Sequence, residues 1–467
     1  MLDKILKKFS KGDKDTKFLF KKSLLAFTVR GGGMLAQYVL IFFIAKFYGP
    51  KEQGSYTLAI TILQLFAIFS QMGLDNRLIR ITAANSSLSD HSIIKTTYLQ
   101  SLRLTFFSSI LWASIIWLSA PWIAGTFFSK PQLTEHIRII CFAFVPFVFI
   151  GLNSAGFRGF KNMTGFLAFK GLLPLIAALF LLGFYFFKTD FGAVNAYAIG
   201  AVLVCVASFV GWFRFSKIKN FNFQPKLSTV EILKESMPMM LTGSIFFILG
   251  WTDNLILGIF RSVEEVGMYD MAFKLSTLSA VVLIAVNAIQ APTFAELYSK
   301  GEMKRLQGFI FSSTKLLFYT SFPVTIVLCL FPQEILGIFG PGFKTASTAL
   351  IILAIGNFVN SITGSIGILL QMSGKQKEYN RIIMIAAGGS VLLNFILVPK
   401  IGILGAAISS TLAKVFQNIA SVIYARRNMG ILSLYLPGIE KIIKFKQTTI
   451  QNIPPTTAGE DPTKHEY

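Results

Sequence analysis

Apolar runs of about 20 residues, separated by short polar or Gly/Pro breaks, recur along nearly the whole chain. At a rise of ~1.5 Å per residue, each is long enough to cross the ~30 Å hydrocarbon core of a bilayer. The pattern predicts helices over 24–47, 55–75, 101–122, 138–157, 166–187, 193–214, 237–260, 267–291, 311–331, 347–370, 381–399 and 403–425. The breaks fall at Gly49-Pro50, Pro131, Gly159-Phe160-Lys161, Gly192, 220–225, Gly301, Gly340-Pro341-Gly342, Gly374-Lys375 and Pro399. The expected fold class is all-α: a polytopic membrane protein of about twelve transmembrane helices, with no separate soluble domain.

Composition agrees with a bilayer as the main solvent. Of 467 residues, 53% are hydrophobic and 14% charged, with a mean hydropathy of +0.62, whereas roughly 25% of a soluble domain is charged. The net charge of +22 would suggest nucleic acid in a soluble protein. Here its placement follows the loops instead, and no nucleic-acid partner is expected. With a cytoplasmic N-terminus, most of the 44 lysines and arginines fall on the cytoplasmic side, and the outer loops hold Lys51, Lys130, Lys188, Arg261, Lys344 and Lys400. This positive-inside asymmetry predicts cytoplasmic termini and an even number of helices. The Lys-rich leader lacks the cleavage signature of a signal peptide. Leu2, Ile5, Leu6 and Phe9 stand at helical spacing among Lys4, Lys7, Lys8 and Lys11, which suits a short helix lying on anionic membrane lipids. Ile439, Ile442 and Ile443 alternate with Lys441, Lys444 and Lys446 in the same way, and the chain from about Asn452 has a disordered composition. Cys141, Cys205 and Cys329 lie inside apolar runs with no metal-ligand spacing, so neither a disulfide nor a metal site is expected.

The strongest organisational signal is a duplication. Phe47-Tyr48-Gly49-Pro50-Lys51-Glu52-Gln53-Gly54-Ser55-Tyr56 returns as Phe260-Arg261-Ser262-Val263-Glu264-Glu265-Val266-Gly267-Met268-Tyr269, sharing F-x4-E-x-G-x-Y. Ile123-Ala124-Gly125-Thr126-Phe127 resembles Ile335-Leu336-Gly337-Ile338-Phe339, and Gly192-Ala193-Val194 is echoed by Gly402-Ile403-Leu404, at nearly the same offset. A six-helix unit ends on the side where it began, so the copies share one orientation. The predicted organisation is a basic N-terminal segment (1–22), an N-lobe of six helices (23–215), a cytoplasmic linker (216–235), a C-lobe of six helices (236–426) and a cytoplasmic tail (427–467). Rocking of such lobes would expose a cleft near the midplane to each side in turn.

Ionisable side chains inside hydrocarbon cost roughly 2.5–3.5 kcal/mol on insertion scales and normally face a cavity or a partner. Those within the predicted helices are mostly cationic: Arg30, Arg103, Lys170, Lys274 and Lys414. Asp253 is the clearest buried acid, and Asp270 stands one helical turn before Lys274 as an i,i+4 partner. Gln37 shares a face with Arg30 and Gly33; Gln417 with Ser410, Lys414 and Ser421; Asn357 and Asn360 with Gly364. Several cations with few acids suit an anionic ligand, because guanidinium and ammonium groups donate to phosphate oxygens. Arg30, Lys274, Lys414, Arg103 and Lys170 are therefore the candidate substrate-binding cations, and Gln37, Asn357, Asn360 and Gln417 the candidate polar face. Asp253 and Asp270 are candidate H+ or Na+ coupling sites, and no cofactor is expected.

The two F-x4-E-x-G-x-Y copies, Trp251-Thr252-Asp253-Asn254, Gly374-Lys375, Asn394 and Pro399-Lys400-Ile401-Gly402-Ile403-Leu404-Gly405-Ala406-Ala407 resemble the polysaccharide transporter (O-antigen flippase) family. That family belongs to the multidrug/oligosaccharidyl-lipid/polysaccharide (MOP) exporter superfamily, and the likeness covers about residues 20–426. It implies flipping of undecaprenyl-diphosphate-linked oligosaccharide repeat units across the bacterial inner membrane, driven by an ion gradient. It also implies a polysaccharide polymerase and chain-length regulator as partners. Family members often have more than twelve helices. Within the superfamily, a multidrug antiporter should favour acids in its cleft, and lipid II flippases resemble a longer, fourteen-helix chain. A membrane polymerase or ligase would be expected to carry a large outer loop, and every outer loop here is short, so an enzyme is not expected.

Overall fold

The computed structural model describes residues 14–86, 92–184, 191–216 and 229–437. The amphipathic segments expected before residue 14 and around 439–446, and the tail from 452, lie outside the described residues. Within them every regular element is a helix, with no strand.

Helix α1, Lys14–Gln71, contains the first predicted span and most of the second, joined at Gly49. Gly49 has φ 80° and ψ −177°, a conformation open to glycine, and Pro50 follows without an N–H, so the two halves meet at a kink. Helix α2, Leu74–Asn85, was not expected. Its apolar residues are too few to read as a span, yet Leu74, Arg77, Leu78 and Thr82 form one buried face at helical spacing. Helix α3, Ser92–Trp122, runs into a π-turn at Ile123–Phe127, and α4 is Leu133–Gly159. The fifth span is α5, Met163–Leu167, a π-turn at Ala168–Leu172, and α6, Leu173–Phe184. Helix α7 is Ala193–Ser216 and α8 is Thr229–Phe260. The eighth span comprises α9, Val263–Ser276, a 3₁₀ turn at Thr277–Ala280, and α10, Val281–Ser299. Helix α11, Met303–Leu330, precedes the short α12, Pro332–Gly337, and a 3₁₀ turn at Pro341–Ala346. The chain continues through α13, Ser347–Ile362, α14, Ile366–Met372, α15, Gln376–Ile401, and α16, Ile403–Met429.

Ten of these stretches are long and apolar enough to cross a membrane among the described residues. The first, Thr28–Gln71, is two helices, and α8, of 32 residues, is also of spanning length, which accounts for the twelve expected. Several helices start well before the predicted spans, α3 at Ser92 rather than 101, α8 at Thr229 rather than 237 and α11 at Met303 rather than 311, and two of the later spans differ in other ways. The tenth predicted helix is interrupted at Gly364, which adopts φ +66°. The eleventh runs through Pro399 to Ile401, because the missing N–H of Pro399 costs one bond and Gly402 N then donates to Val398 O at 2.9 Å.

By compactness the chain divides into two units. One takes the described residues up to Leu278 with Val327–Ile355 and Ile383–Ala413; the other takes Ser279–Ile326, Gly356–Ile382 and the described residues from Lys414. The first unit thus holds all the described helices of the first repeat together with part of the second. Its packing relies on small residues facing large ones, as expected where lipid supplies no hydrophobic driving force between helices. A Cβ on Gly156 would lie 2.5 Å from the Trp212 ring, so glycine lets the indole approach α4 closely. Trp212 is fully buried there beside Tyr98 and Phe157. Below it runs a buried polar chain. Tyr98 OH donates to Asn153 Oδ1 at 2.6 Å, and Asn153 Nδ2 donates to Ser208 Oγ at 2.9 Å.

In the second unit, the residues after α16 are packed rather than trailing. Leu432 N donates to Gln307 Oε1 and Leu432 O accepts from Gln307 Nε2, both at 2.8 Å. Tyr435 N donates to Ile362 O, and its buried ring meets Phe311 and Phe318. The segment expected as a tail from residue 427 therefore begins with an anchored stretch.

Candidate functional site

The two copies of the repeated sequence pack against each other. A Cβ on Gly54 would fall on the carbonyl oxygen of Val263, and a Cβ on Gly267 would fall on that of Pro50, so both contacts are backbone against backbone. Pro50 and Val263 occupy equivalent positions in the two copies, as do Gly54 and Gly267. The contact is thus reciprocal about a pseudo-twofold axis within the first unit.

The glutamate of each copy reaches the end of its repeat. Glu52 Oε1 accepts from Ala193 N at 2.9 Å, at the first turn of α7, and Glu52 Oε2 lies 3.5 Å from His136 Nε2. A Cβ on Gly192 would sit 2.6 Å from Glu52 Oε1. In the second copy Glu265 Oε2 lies 2.8 Å from the place a Cβ on Gly402 would take, at the start of α16. A carboxylate at a helix N-terminus meets unsatisfied N–H groups and the positive end of the dipole. Arg261 completes the second corner by donating to Val398 O at 3.1 Å and Pro399 O at 3.0 Å, the last carbonyls of α15. The distant echo of Gly192 by Gly402 now has a cause: each glycine leaves room for its repeat's glutamate.

Lys130, in the turn between α3 and α4, is buried and donates to Phe128 O at 2.9 Å and to Gly258 O. Burial pushes its ammonium below the usual lysine range, and Glu264 and Glu265 offset part of that effect.

Beyond this contact lie the buried acids. Asp270 is 2% exposed and makes an ion pair with Lys274 at 2.6 Å, the i,i+4 pairing expected from sequence. Gln53 Nε2 donates to the same Asp270 oxygen at 2.7 Å, joining the first copy to the second. Tyr38 OH donates to Lys274 O at 3.0 Å, which ties α1 to the same turn. Asp253, also buried, accepts from Tyr269 OH at 2.7 Å, from Asn394 Nδ2 at 2.8 Å and from Ser410 Oγ. Asn394 Oδ1 is buried in this cluster without a hydrogen-bond partner. The donor set is carboxylate, amide and hydroxyl oxygen, chemistry suited to a proton or a hard cation.

The remaining predicted residues are placed as follows. In the first unit Arg30 and Gln37 are exposed, and Gly32 and Gly33, beside Arg30, abut Leu172 on the fifth span. Lys170 is exposed on the π-turn two residues from Leu172, 5.6 Å from the Phe166 ring centroid. The packing therefore brings the turns carrying Arg30 and Lys170 side by side, and π-turns recur at functional sites. Arg103 is exposed on α3 and lines a cavity of about 390 Å³. In the second unit Lys414 Nζ donates to Asn357 Oδ1 at 2.7 Å, Gln417 Nε2 donates to Tyr379 OH at 3.1 Å, and Asn360 is half-buried on α13.

Among the charged clusters that sequence reasoning missed, the Arg77 cluster on α2 holds the most buried charged side chain. Arg77 is buried on α2, with its Nε 3.2 Å from Glu235 on α8, and the more exposed Arg80 reaches the same carboxylate at 3.3 Å. The spacing of Arg77 and Arg80 in a loop carried no sign of a partner over 150 positions away. Gln53 was legible only as part of the repeat.

One match decides the family: residues 19–298, more than half of the chain, match the polysaccharide biosynthesis protein family. The chain belongs to that family. Residues 238–400 also match the MatE family. A probable low-salt glycan biosynthesis flippase, Agl15 of Haloferax volcanii, is 29% identical over 199 residues, 42% of each chain, so the match spans under half of that relative's length. Two solved structures share the fold. An inward-facing multidrug resistance MATE family transporter of the MOP superfamily superposes with a TM-score of 0.69 at 15% identity, over 87% of this chain and 98% of its own. The lipid II flippase MurJ, in an inward closed conformation, gives 0.67 at 14% identity, over 92% and 91%. The chain is a multi-pass membrane protein with the MOP transporter fold.

Proposed function

We propose that this protein is a flippase that moves a polyprenyl-diphosphate-linked oligosaccharide across the cytoplasmic membrane, by alternating access of two six-helix repeats. Membership of the polysaccharide biosynthesis family carries this reading, and the glycan flippase relative supports it. In this proposal the termini are cytoplasmic, as the loop charges predict. The paired Gly54 and Gly267 close the outer mouth. Arg30 and Lys170 bind the diphosphate, since the turns that carry them pack together through Gly33 and Leu172 and both cations can donate to phosphate oxygens. Lys274 is already engaged by Asp270, and its part is to hold the closed contact. Lys414, Asn357, Asn360 and Gln417 supply polar contacts to the glycan. Asp253 with Asn394, Tyr269 and Ser410 takes the coupling H+ or Na+. An undecaprenyl carrier, an O-antigen unit, a bacterial inner membrane, and a polymerase with its chain-length regulator are the finer form of the same proposal.

The test is reconstitution. Purified protein in liposomes should move a fluorescent polyprenyl-diphosphate oligosaccharide between leaflets under an imposed proton or sodium gradient, and failure under both gradients would overturn the reading. The MatE match over residues 238–400 favours a second reading, a multidrug antiporter. Efflux of an organic cation dye by the same liposomes, with no glycolipid movement, would select it.

A further inference from the structure

The cavity of about 390 Å³ on the first unit is lined by Leu99, Leu102, Arg103 and Phe106 of α3, Phe149 of α4 and Phe209 of α7. Its size lies within the ~300–1,000 Å³ of small-ligand clefts. The walls are three phenyl rings in a row: Phe106 and Phe149 are stacked at 6.2 Å, and Phe209 meets Phe149 edge-on at 5.5 Å. Exposed apolar residues flank it, among them Phe107, Val206 and Val210. The groove therefore opens onto lipid.

One lining residue is charged. Arg103 is exposed, and among the described residues it makes no hydrogen bond or ion pair. Arg138, by contrast, lies 5.0 Å over the Trp117 ring. Arg103 stands two residues inside the span predicted over 101–122, about 3 Å along the axis, within reach of the phosphate layer for a long side chain. The groove offers one apolar channel and one cation. That complements a lipid with a single anionic phosphodiester, whose phosphate takes the guanidinium while one chain fills the aromatic channel.

We propose that this groove binds an anionic glycerophospholipid of the cytoplasmic leaflet, its phosphate on Arg103 and one acyl chain along Phe106, Phe149 and Phe209. The site is separate from the cations assigned above to the transported diphosphate, and its occupancy does not depend on the flippase reading.

Native mass spectrometry of the purified full chain, titrated with phosphatidylglycerol or phosphatidylcholine of identical acyl chains, tests it. The first phosphatidylglycerol should bind about fivefold more tightly than phosphatidylcholine, because both carry the phosphate but only in phosphatidylcholine does a choline cation compete with Arg103 for it. Arg103→Gln should abolish that preference, Arg103→Lys should keep most of it, and Arg138→Gln should leave it intact. Phe209→Trp, which fills the channel without changing charge, should weaken binding of both lipids. Unchanged phosphatidylglycerol preference in Arg103→Gln, or unchanged binding in Phe209→Trp, overturns the proposal. So does displacement of phosphatidylglycerol by an equal amount of polyprenyl monophosphate, which would assign the groove to the carrier lipid.

Discussion

Replacing Gly54 by alanine tests the reciprocal contact directly. The new Cβ would stand 1.8 Å from the Val263 carbonyl oxygen, whereas ordinary contact begins near 3.4 Å. The two backbones must therefore separate by 3.4 − 1.8 = 1.6 Å at this point. A carbonyl fixed in a helix cannot rotate aside as a side chain can, so the closed contact bears the whole strain. Overpacking of this kind costs about 1–3 kcal/mol. If the contact closes the outer mouth, that energy moves the closed-to-open ratio by roughly 5- to 150-fold. Thr57, one turn further along α1 and 2% exposed, reports the change. In a background with Cys141, Cys205 and Cys329 replaced, Thr57→Cys should react slowly with a membrane-impermeant maleimide, and adding Gly54→Ala should raise the rate within that range. Gly267→Ala should act in the same direction, and Gly125→Ala, where a Cβ meets nothing within 4 Å, should do nothing. A Gly54→Ala protein that melts at a lower temperature with unchanged labelling would refute the gating role and leave only packing.

Four further outcomes are expected. Arg30→Glu should abolish glycolipid flipping while leaving insertion and thermal stability intact, as judged by protease accessibility and melting; normal flipping would remove Arg30 from the site. Asp253→Asn should keep the hydrogen bonds of Tyr269 and Ser410 in altered form but erase the dependence of flipping on the ion gradient, measured with and without the imposed gradient. Arg77→Gln should lower the melting temperature more than Arg80→Gln, because the Arg77 side chain is 2% exposed and that of Arg80 56%, and exposed pairs contribute only ~0–1 kcal/mol. For Lys130, whose folded pKa is lowered, the unfolded chain binds more protons between that value and the ordinary 10.5, so stability rises with pH across this window. Lys130→Gln should flatten that rise in an alkaline melting series.

Much of the fold was legible because membrane helices announce themselves by length and hydropathy, and because glycine and proline mark their ends. Gly49, Gly301, Gly340 and Gly374 each adopt positive φ close to a predicted break. What escaped were features set by tertiary context. Helix α2 is too polar to read as a span and is recognisable only by its one buried face. Pro399 stays inside its helix since Arg261 and the Gly402 N–H take up the carbonyls around it. Among the charges, the Asp270–Lys274 pair followed from i,i+4 spacing. The Arg77–Glu235 pair did not, because nothing local distinguishes two arginines in a loop from a solvated face.

The duplicated sequence carries more than symmetry. Its glycine permits backbone contact between the copies, and its glutamate reaches the N-terminus of the sixth helix of the same repeat. Its tyrosine enters the helix bundle, where Tyr269 donates to Asp253 and Tyr56 packs edge-on to Tyr197. One ten-residue element thus connects the contact between repeats to the last helix of each repeat and, in the second copy, to a buried carboxylate. Protonating or coordinating Asp253 changes the charge that Tyr269 faces, and Tyr269 lies only two residues from Gly267, at the contact itself. In the proposed cycle this short path lets ion binding bias the closed state, because a ligand shifts an equilibrium only through groups it touches differently in the two states. The path predicts that Tyr269→Phe, which removes one hydrogen bond from Asp253, weakens gradient dependence without removing flipping. Full gradient dependence in Tyr269→Phe would require the coupling to run through Ser410 or Asn394 instead.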